Sequence, residues 1–333
     1  MDLNRNIQNY RPLQVIALLL LVSCGRYSLP EIRQSRLQLG TTVTITVLHA
    51  DEAAARSAVE SAFDEIERIE KLFSSYDEGS EIWRLNHEGA IEPDPEIVHL
   101  FEQAVHYHRI SGGAFDITVQ PLIELFDDSF SRGGGPPSRQ EIEEVLEAVG
   151  SEKIEITGEN IRLPYGTKVT LGGIAKGYAI DRAVEVLRGR GIEYGLVDAG
   201  GDMRAIGPRE GAPWRVALQN PRGRQEYLAV ILLEDLAVAT SGDYERYFDP
   251  EKEFHHIIDP RTGYSATELI SVTVVAGTAL EADAIATAVF VSGASHGMEL
   301  VGELEGVEAL IVTSGGKILI SEGMDDILLS IER

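Results

Sequence analysis

Cysteine is nearly absent. Cys24 is the sole one among 333 residues, so no internal disulfide can form. Cations are scarce too: 29 lysines and arginines face 54 aspartates and glutamates, for a formal net charge of −25. So acidic a surface repels nucleic-acid phosphates and argues against a DNA or RNA partner. The apolar run at residues 13–22, LQVIALLLLV, is too short to cross a bilayer of about 30 Å as a helix. A strand–glycine–helix junction at residues 169–187, VTLGGIAKGYAIDRAVEVL, carries neither the G-x-x-x-x-G-K-[ST] nor the G-x-G-x-x-G pattern of common nucleotide loops.

What is present begins with the N-terminus. Arg5 and Arg11 precede the apolar run, which ends in Leu21-Val22-Ser23-Cys24. Basic residues, a short apolar stretch and a small residue before cysteine read as a bacterial lipoprotein signal peptide over 1–23. Cys24 is then the lipidated residue, 24–38 a tether, and 39–333 the catalytic domain. The expected location is the bacterial cell membrane, lipid-anchored on its extracytoplasmic (periplasmic) face.

In the body of the chain, β-branched runs such as TTVTITVLH (41–49) and ISVTVVAG (270–277) predict strands. Apolar residues at helical spacing predict a long helix over 51–76, others over 95–110, 279–292 and about 295–303, and a capped helix starting after Ser138. Short strands are expected at 153–157 and 167–171, and FHHIIDP (254–260) is also read as a strand. The breaker-rich 127–139 reads as a surface loop. Irregular alternation with antiparallel neighbours argues for a single α+β (mixed α/β) domain rather than a Rossmann sheet.

Several constellations offer chemistry. Asp283 lies in an otherwise Ala/Ile helix, with Thr287 four residues on and therefore on the same face. A carboxylate and a hydroxyl are hard oxygen ligands that suit Mg²⁺; an exposed Asp and a Thr bonded back into its helix is the bland alternative. His255 and His256 precede the Asp259-Pro260-Arg261-Thr262-Gly263 turn, and alternation lets only one of them face any given site. Glycines beside Phe115 and Asp116 permit close backbone approach to a flat ligand. Asp202, after a second Gly-Gly pair, reads as a turn residue.

Taken in order, FSSYDEGSEIWRLN, SGGAFDITVQPL, LGGIAKGYAIDRAVEVL, VDAGGDMRAIG, SGDYERYF, HHIIDPRTGY and EADAIATAVFVSG resemble the FAD:protein FMN transferase (ApbE) family over roughly residues 37–320. The resemblance implies FAD as substrate and Mg²⁺ as cofactor. It implies transfer of FMN, as a phosphoester, to a Thr or Ser hydroxyl of an acceptor flavoprotein, such as a redox-complex subunit, with release of AMP. Hydrolysis of FAD to FMN and AMP and non-catalytic flavin binding are the alternatives. By position, the resemblance assigns the metal to Asp283, Thr287 and the Gly173 carbonyl, and the base role to His256. It assigns FAD contacts to Leu39, Tyr76, Ala114, Phe115, Asp116, Thr170, Lys176 and Ile257. Two positions depart from the family: Leu39 replaces a usual methionine, and Thr170 a usual aspartate.

Overall fold

The β-branched runs line up as one eight-stranded sheet. The computed structural model describes residues 28–331 apart from 159, 224 and 225; Cys24 and the expected signal peptide lie outside the described residues. The sheet runs β1 (Glu31–Gln38), β2 (Thr41–Leu48), β6 (Gly195–Ala199), β7 (Asp202–Ile206), β10 (Ala237–Gly242), β11 (Leu269–Ala276), β12 (Glu308–Thr313) and β13 (Ile318–Ile320). Every neighbouring pair in it is antiparallel. The fold is α+β, as the irregular alternation implies, and no doubly wound parallel sheet is present among the described residues.

Each face of the sheet is covered differently. On one face lie α1 (Glu52–Phe73), α6 (Ala175–Gly189) and α7 (Ala279–Gly302). The face of α1 read from its spacing, Ala55, Val59, Ala62, Phe63, Ile66 and Ile69, is buried. On the other face a small sheet of β8 (Trp214–Gln219), β9 (Tyr227–Leu233) and β14 (Leu328–Ile331) closes over Val238, Val275 and Val312, with α8 (Met324–Ile327) beside it. Strand β11 is therefore buried on both sides: Val272 and Val274 pack toward α7 and Val275 toward the small sheet. This explains why it is buried along its whole length and rich in β-branched residues. Helix α7 has the length and apolarity to cross a membrane, but here it is a core helix.

The other elements are α2 (Glu81–Glu88), α3 (Pro95–Ile110), α4 (Gln120–Ser131), α5 (Arg139–Leu146) and a small sheet of β3 (Ala90–Ile91), β4 (Glu155–Thr157) and β5 (Asn160–Arg162), of which the start of α4 reaches a cleft.

The structure corrects four expectations. Residues 31–38, read as tether, form β1; Ile32 and Gln38 are buried, and the polar alternation that resembled a linker is that of an edge strand with one open face. Residues 127–131, read as loop, finish α4. Segment 167–171 is extended but pairs with no strand, because the Asn86 side chain takes a strand's place: its Oδ1 accepts from Val169 N at 2.7 Å and its Nδ2 donates to Val169 O at 2.9 Å. Segment 254–260 is a loop with only two isolated bridges. The two C-terminal helices expected at 279–292 and about 295–303 are both present, joined within α7 across a kink at Gly293 (φ 77°), where Glu268 Oε1 accepts from Ala294 N at 2.8 Å and restarts the helix.

Candidate functional site

A cleft of about 730 Å³ opens between the segment from Ala114 to Ile123, which runs into the start of α4, and the helical face of the large sheet. That volume lies within the range of small-molecule sites, about 300–1,000 Å³. Each cofactor, metal and base candidate named above lines it. A shallower depression of about 390 Å³ over β1, β2 and β6 contains an already paired Arg209 and Glu31, and gathers no comparable set.

The floor is set by how α6 meets α7. A Cβ at Gly177 would lie 2.2 Å from the Ala279 carbonyl oxygen, so only glycine lets the two backbones touch there. At that contact the Gly177 N–H donates to Asp283 Oδ2 at 3.0 Å. A Cβ at Gly173 would sit 3.2 Å from both Thr287 Oγ1 and the Phe115 ring, so the missing side chain keeps a pocket open beside the hydroxyl. Neither glycine needs a positive φ; both are present for close approach.

This corner fits a hard divalent cation. Asp283 is buried, and among the described residues its Oδ1 has no hydrogen-bond donor. Burial, then the neighbouring Asp202, raise its pKa, and together they outweigh the opposing pull of Lys176. Thr287 Oγ1 lies 3.3 Å from Ser241 Oγ. Carboxylate, hydroxyl and the carbonyl of the glycine segment make an all-oxygen donor set of the type Mg²⁺ prefers. A second acidic group, His108, Asp116 and Glu152, has potential ligand atoms within 4.8 Å of one another. There Asp116 is already saturated by protein donors, and the two His108 nitrogens face different carboxylates, at 3.0 and 3.2 Å. We read that group as an ion-pair relay.

Lys176 projects from the first turn of α6, and its Nζ lies 2.9 Å from Asp202 Oδ2. Burial opposes its charge, but Asp202 and Asp283 outweigh that and hold the ammonium firmly protonated. Asp202 is thus no turn residue. It opens β7, is buried, and accepts from Thr240 N at 3.0 Å. Sequence reading missed it, although an acid immediately after a Gly-Gly turn was a usable signal.

The two histidines face opposite ways, although the segment that carries them is a loop and not the expected strand. His255 is buried; its Nε2–H donates to the Ala266 carbonyl at 2.7 Å and its Nδ1 accepts from Ile257 N at 3.3 Å. His256 faces the cleft, with Nδ1 3.2 Å from the Arg246 carbonyl. A carbonyl only accepts, so Nδ1 carries the proton and Nε2 keeps its lone pair. Desolvation pushes its pKa down to about 4, against the Arg246 carbonyl bond and with help from the charges of Arg246 and Lys176. In the ligand-free protein the ring should stay neutral through pH 6–8. A two-dimensional NMR titration of the histidine ring signals should place the His256 midpoint well below the ordinary 6.5; a midpoint at or above 6.5 contradicts this environment.

The remaining candidates contribute mainly shape. Phe115 is buried beside Gly173 at the cleft. The Asp116 carboxylate, expected at the ligand, turns inward: Oδ1 accepts from Thr118 N at 2.7 Å, Thr118 Oγ1 at 2.5 Å and Ser151 Oγ at 2.6 Å, and Oδ2 from Ser151 N at 2.9 Å. Its side chain therefore fixes the Ala114–Asp116 loop and leaves backbone to the cleft. Thr170 Oγ1 accepts from Gly172 N at 3.3 Å, a local turn that aspartate would also make, so the departure here removes charge rather than shape. Leu39 holds φ +53° at the β1–β2 turn, costing about 1–2 kcal/mol; its N–H donates to Glu70 Oε1 at 2.8 Å. Tyr76 is largely exposed at the rim. Ile257 has its N–H committed to His255 and its carbonyl accepting from Ala266 N, which leaves its side chain as its cleft surface.

The ApbE family model matches residues 39–311. An FAD:protein FMN transferase of Treponema pallidum is 31% identical over 329 residues, covering 91% of each chain. One from Vibrio cholerae is 31% identical over 312 residues, covering 89% of this chain and 91% of that one. The crystal structure of an ApbE protein from Thermotoga maritima superposes with a TM-score of 0.84 at 36% identity, covering 90% of this chain and all of that one. The flavin transferase ApbE from Vibrio cholerae gives 0.76 at 27% identity over 90% of this chain. With the family model spanning most of its length and these relatives covered nearly end to end, the chain belongs to the ApbE family.

Proposed function

We propose that this protein is an FAD:protein FMN transferase that moves FMN from FAD to a Thr or Ser hydroxyl of an acceptor protein as a phosphoester. The observation that carries the reading is the joint content of one cleft: a neutral histidine with a free Nε2 and an all-oxygen corner built from Asp283, Thr287 and the Gly173 segment. The chemistry balances without a further reactant. The acceptor oxygen bonds to the FMN phosphorus, the bridging P–O bond of the pyrophosphate breaks, AMP leaves with that oxygen, and the acceptor proton passes to His256 Nε2. A bound Mg²⁺ supplies charge neutralisation on the pyrophosphate oxygens. Lys176 adds fixed positive charge in a cleft that also holds Asp283, with the buried Asp202 paired behind it. Phe115 and Ile257 offer apolar surface to the flavin, and Asp283, Thr287 and the Gly173 carbonyl hold the metal.

The test incubates the full chain in detergent with FAD, Mg²⁺ and a candidate flavoprotein acceptor. Acceptor fluorescence on a denaturing gel with equimolar AMP is the expected result. Free FMN and AMP without labelled acceptor would replace the transferase reading by hydrolysis.

The lipid anchor belongs to the same proposal and rests on the Ser23-Cys24 context alone. Metabolic labelling with an alkyne fatty acid should tag the wild-type protein and leave Cys24→Ser unlabelled. Equal labelling of both would remove the anchor and with it the extracytoplasmic membrane location.

A further inference from the structure

We infer that Asp181 is a positioning residue that sets the register between the two segments bearing the metal ligands. The inference rests on the metal reading above and adds to it a residue without any ligand contact. Asp181 lies on α6, one turn after Gly177, so both face α7. Its Oδ1 accepts from Ala279 N at 2.9 Å and its Oδ2 from Leu280 N at 2.9 Å. These are the first two N–H groups of α7, which would otherwise be orphaned at a buried helix end. The next two are met within α7 itself: Glu281 N donates to Thr278 Oγ1 at 3.2 Å and Ala282 N to Thr278 O at 3.1 Å.

The two pairs of bonds do different work. The Thr278 bonds close the helix on itself. The Asp181 bonds tie it to α6, immediately after the Gly172–Gly173 segment. One turn into α7 comes Asp283, and a turn later Thr287. Asp181 therefore fixes how far the α7 ligands stand from the Gly173 carbonyl, with Gly177 as the contact point beneath. Its charge is balanced by Arg204 from β7, whose NH1 donates to Asp181 Oδ1 at 2.6 Å. Among the described residues the Arg204 Nε is buried without a partner, so the guanidinium is held there for this carboxylate. An asparagine at 181 would keep the shape but offer one acceptor for two N–H groups, and its own NH₂ would oppose a donor.

The experiment counts free Mn²⁺ by electron paramagnetic resonance as the metal alone is titrated into the full chain in detergent. Asp181→Asn should weaken Mn²⁺ binding by about 10–100-fold, the usual effect of losing an orienting partner behind a ligand. Gly177→Ala, which displaces the same contact sterically, should do likewise. Thr278→Ala removes a cap from the same helix end without touching the register; it should lower the melting temperature yet leave Mn²⁺ affinity within about 2-fold. Asp283→Ala should lose the site altogether. If Asp283→Ala binds as wild type, the metal reading fails and this inference with it. If Asp283→Ala fails to bind while Asp181→Asn and Gly177→Ala bind as wild type, only the inference is overturned. If neither register variant folds, or if Thr278→Ala weakens binding equally, the role is structural and the inference also falls.

Discussion

Asp283→Ala should abolish Mg²⁺-dependent FMN transfer, to below the detection limit of a gel fluorescence assay, in a protein that stays folded. Its carboxylate is the one formal negative charge in the proposed donor set, and neither Thr287 nor a carbonyl replaces it. The fold should tolerate the loss because of the sign of the burial term. The Asp283 pKa is raised above its unfolded value, so the folded state pays for ionisation as pH rises through the folded pKa, and no such cost exists below the unfolded value. Removing the group relieves that cost at neutral and alkaline pH. It leaves the Gly177 N–H without its acceptor, a loss of about 1–3 kcal/mol for a buried donor. The melting temperature without metal should therefore move little, and should compare better with wild type at pH 8 than at pH 5. Addition of Mg²⁺ alone should raise the wild-type melting temperature and leave the variant's unchanged, since only a ligand that binds the folded state stabilises it. Near wild-type turnover in a folded variant would remove Asp283 from the metal assignment.

The residues of this corner were legible in the sequence to different degrees, for physical reasons. Strong local signals survived folding: the α1 face, the β-branched β2 and β11, and the Ser138 cap are all where periodicity and capping put them. The Asp283–Thr287 pair was visible because four-residue spacing fixes a shared face in any helix. The resemblance in motif order supplied what spacing lacked, namely that Leu39, Phe115, Lys176 and Ile257 meet in one cleft. What stayed hidden depends on contacts between distant segments. Asp181 looks like an ordinary polar helix residue until α7 delivers two N–H groups to it. Asp202 looks like a turn acid until Lys176 arrives 2.9 Å away. The resemblance assigns Asp116 to the ligand, while its carboxylate answers to Ser151, 35 residues on. Edge strand β1 was missed because edge strands stay polar, and polarity is also the mark of a linker.

His256→Ala should retain FAD binding and lose about 10²–10⁴-fold in the transfer rate, the usual worth of a positioned general base. The ligand-free cleft keeps this ring neutral, through desolvation and the nearby cations Arg246 and Lys176. That makes Nε2 available but a weak base. The FAD pyrophosphate would bring negative charge into the same cleft, and an opposite charge nearby favours the imidazolium. Substrate binding should therefore raise the His256 pKa from about 4 toward neutrality, so that the base strengthens only when there is an acceptor proton to remove. The same ring signals, followed by NMR in Asp283→Ala loaded with FAD, should show that rise without turnover. The kinetic signature is a fall in kcat with little change in the KM for FAD, because the ring holds the proton in flight rather than the ground-state ligand. A loss confined to KM would instead make His256 a binding residue. An unchanged kcat would return the proton to water and leave the cleft's catalysis to Lys176 and the oxygen corner alone.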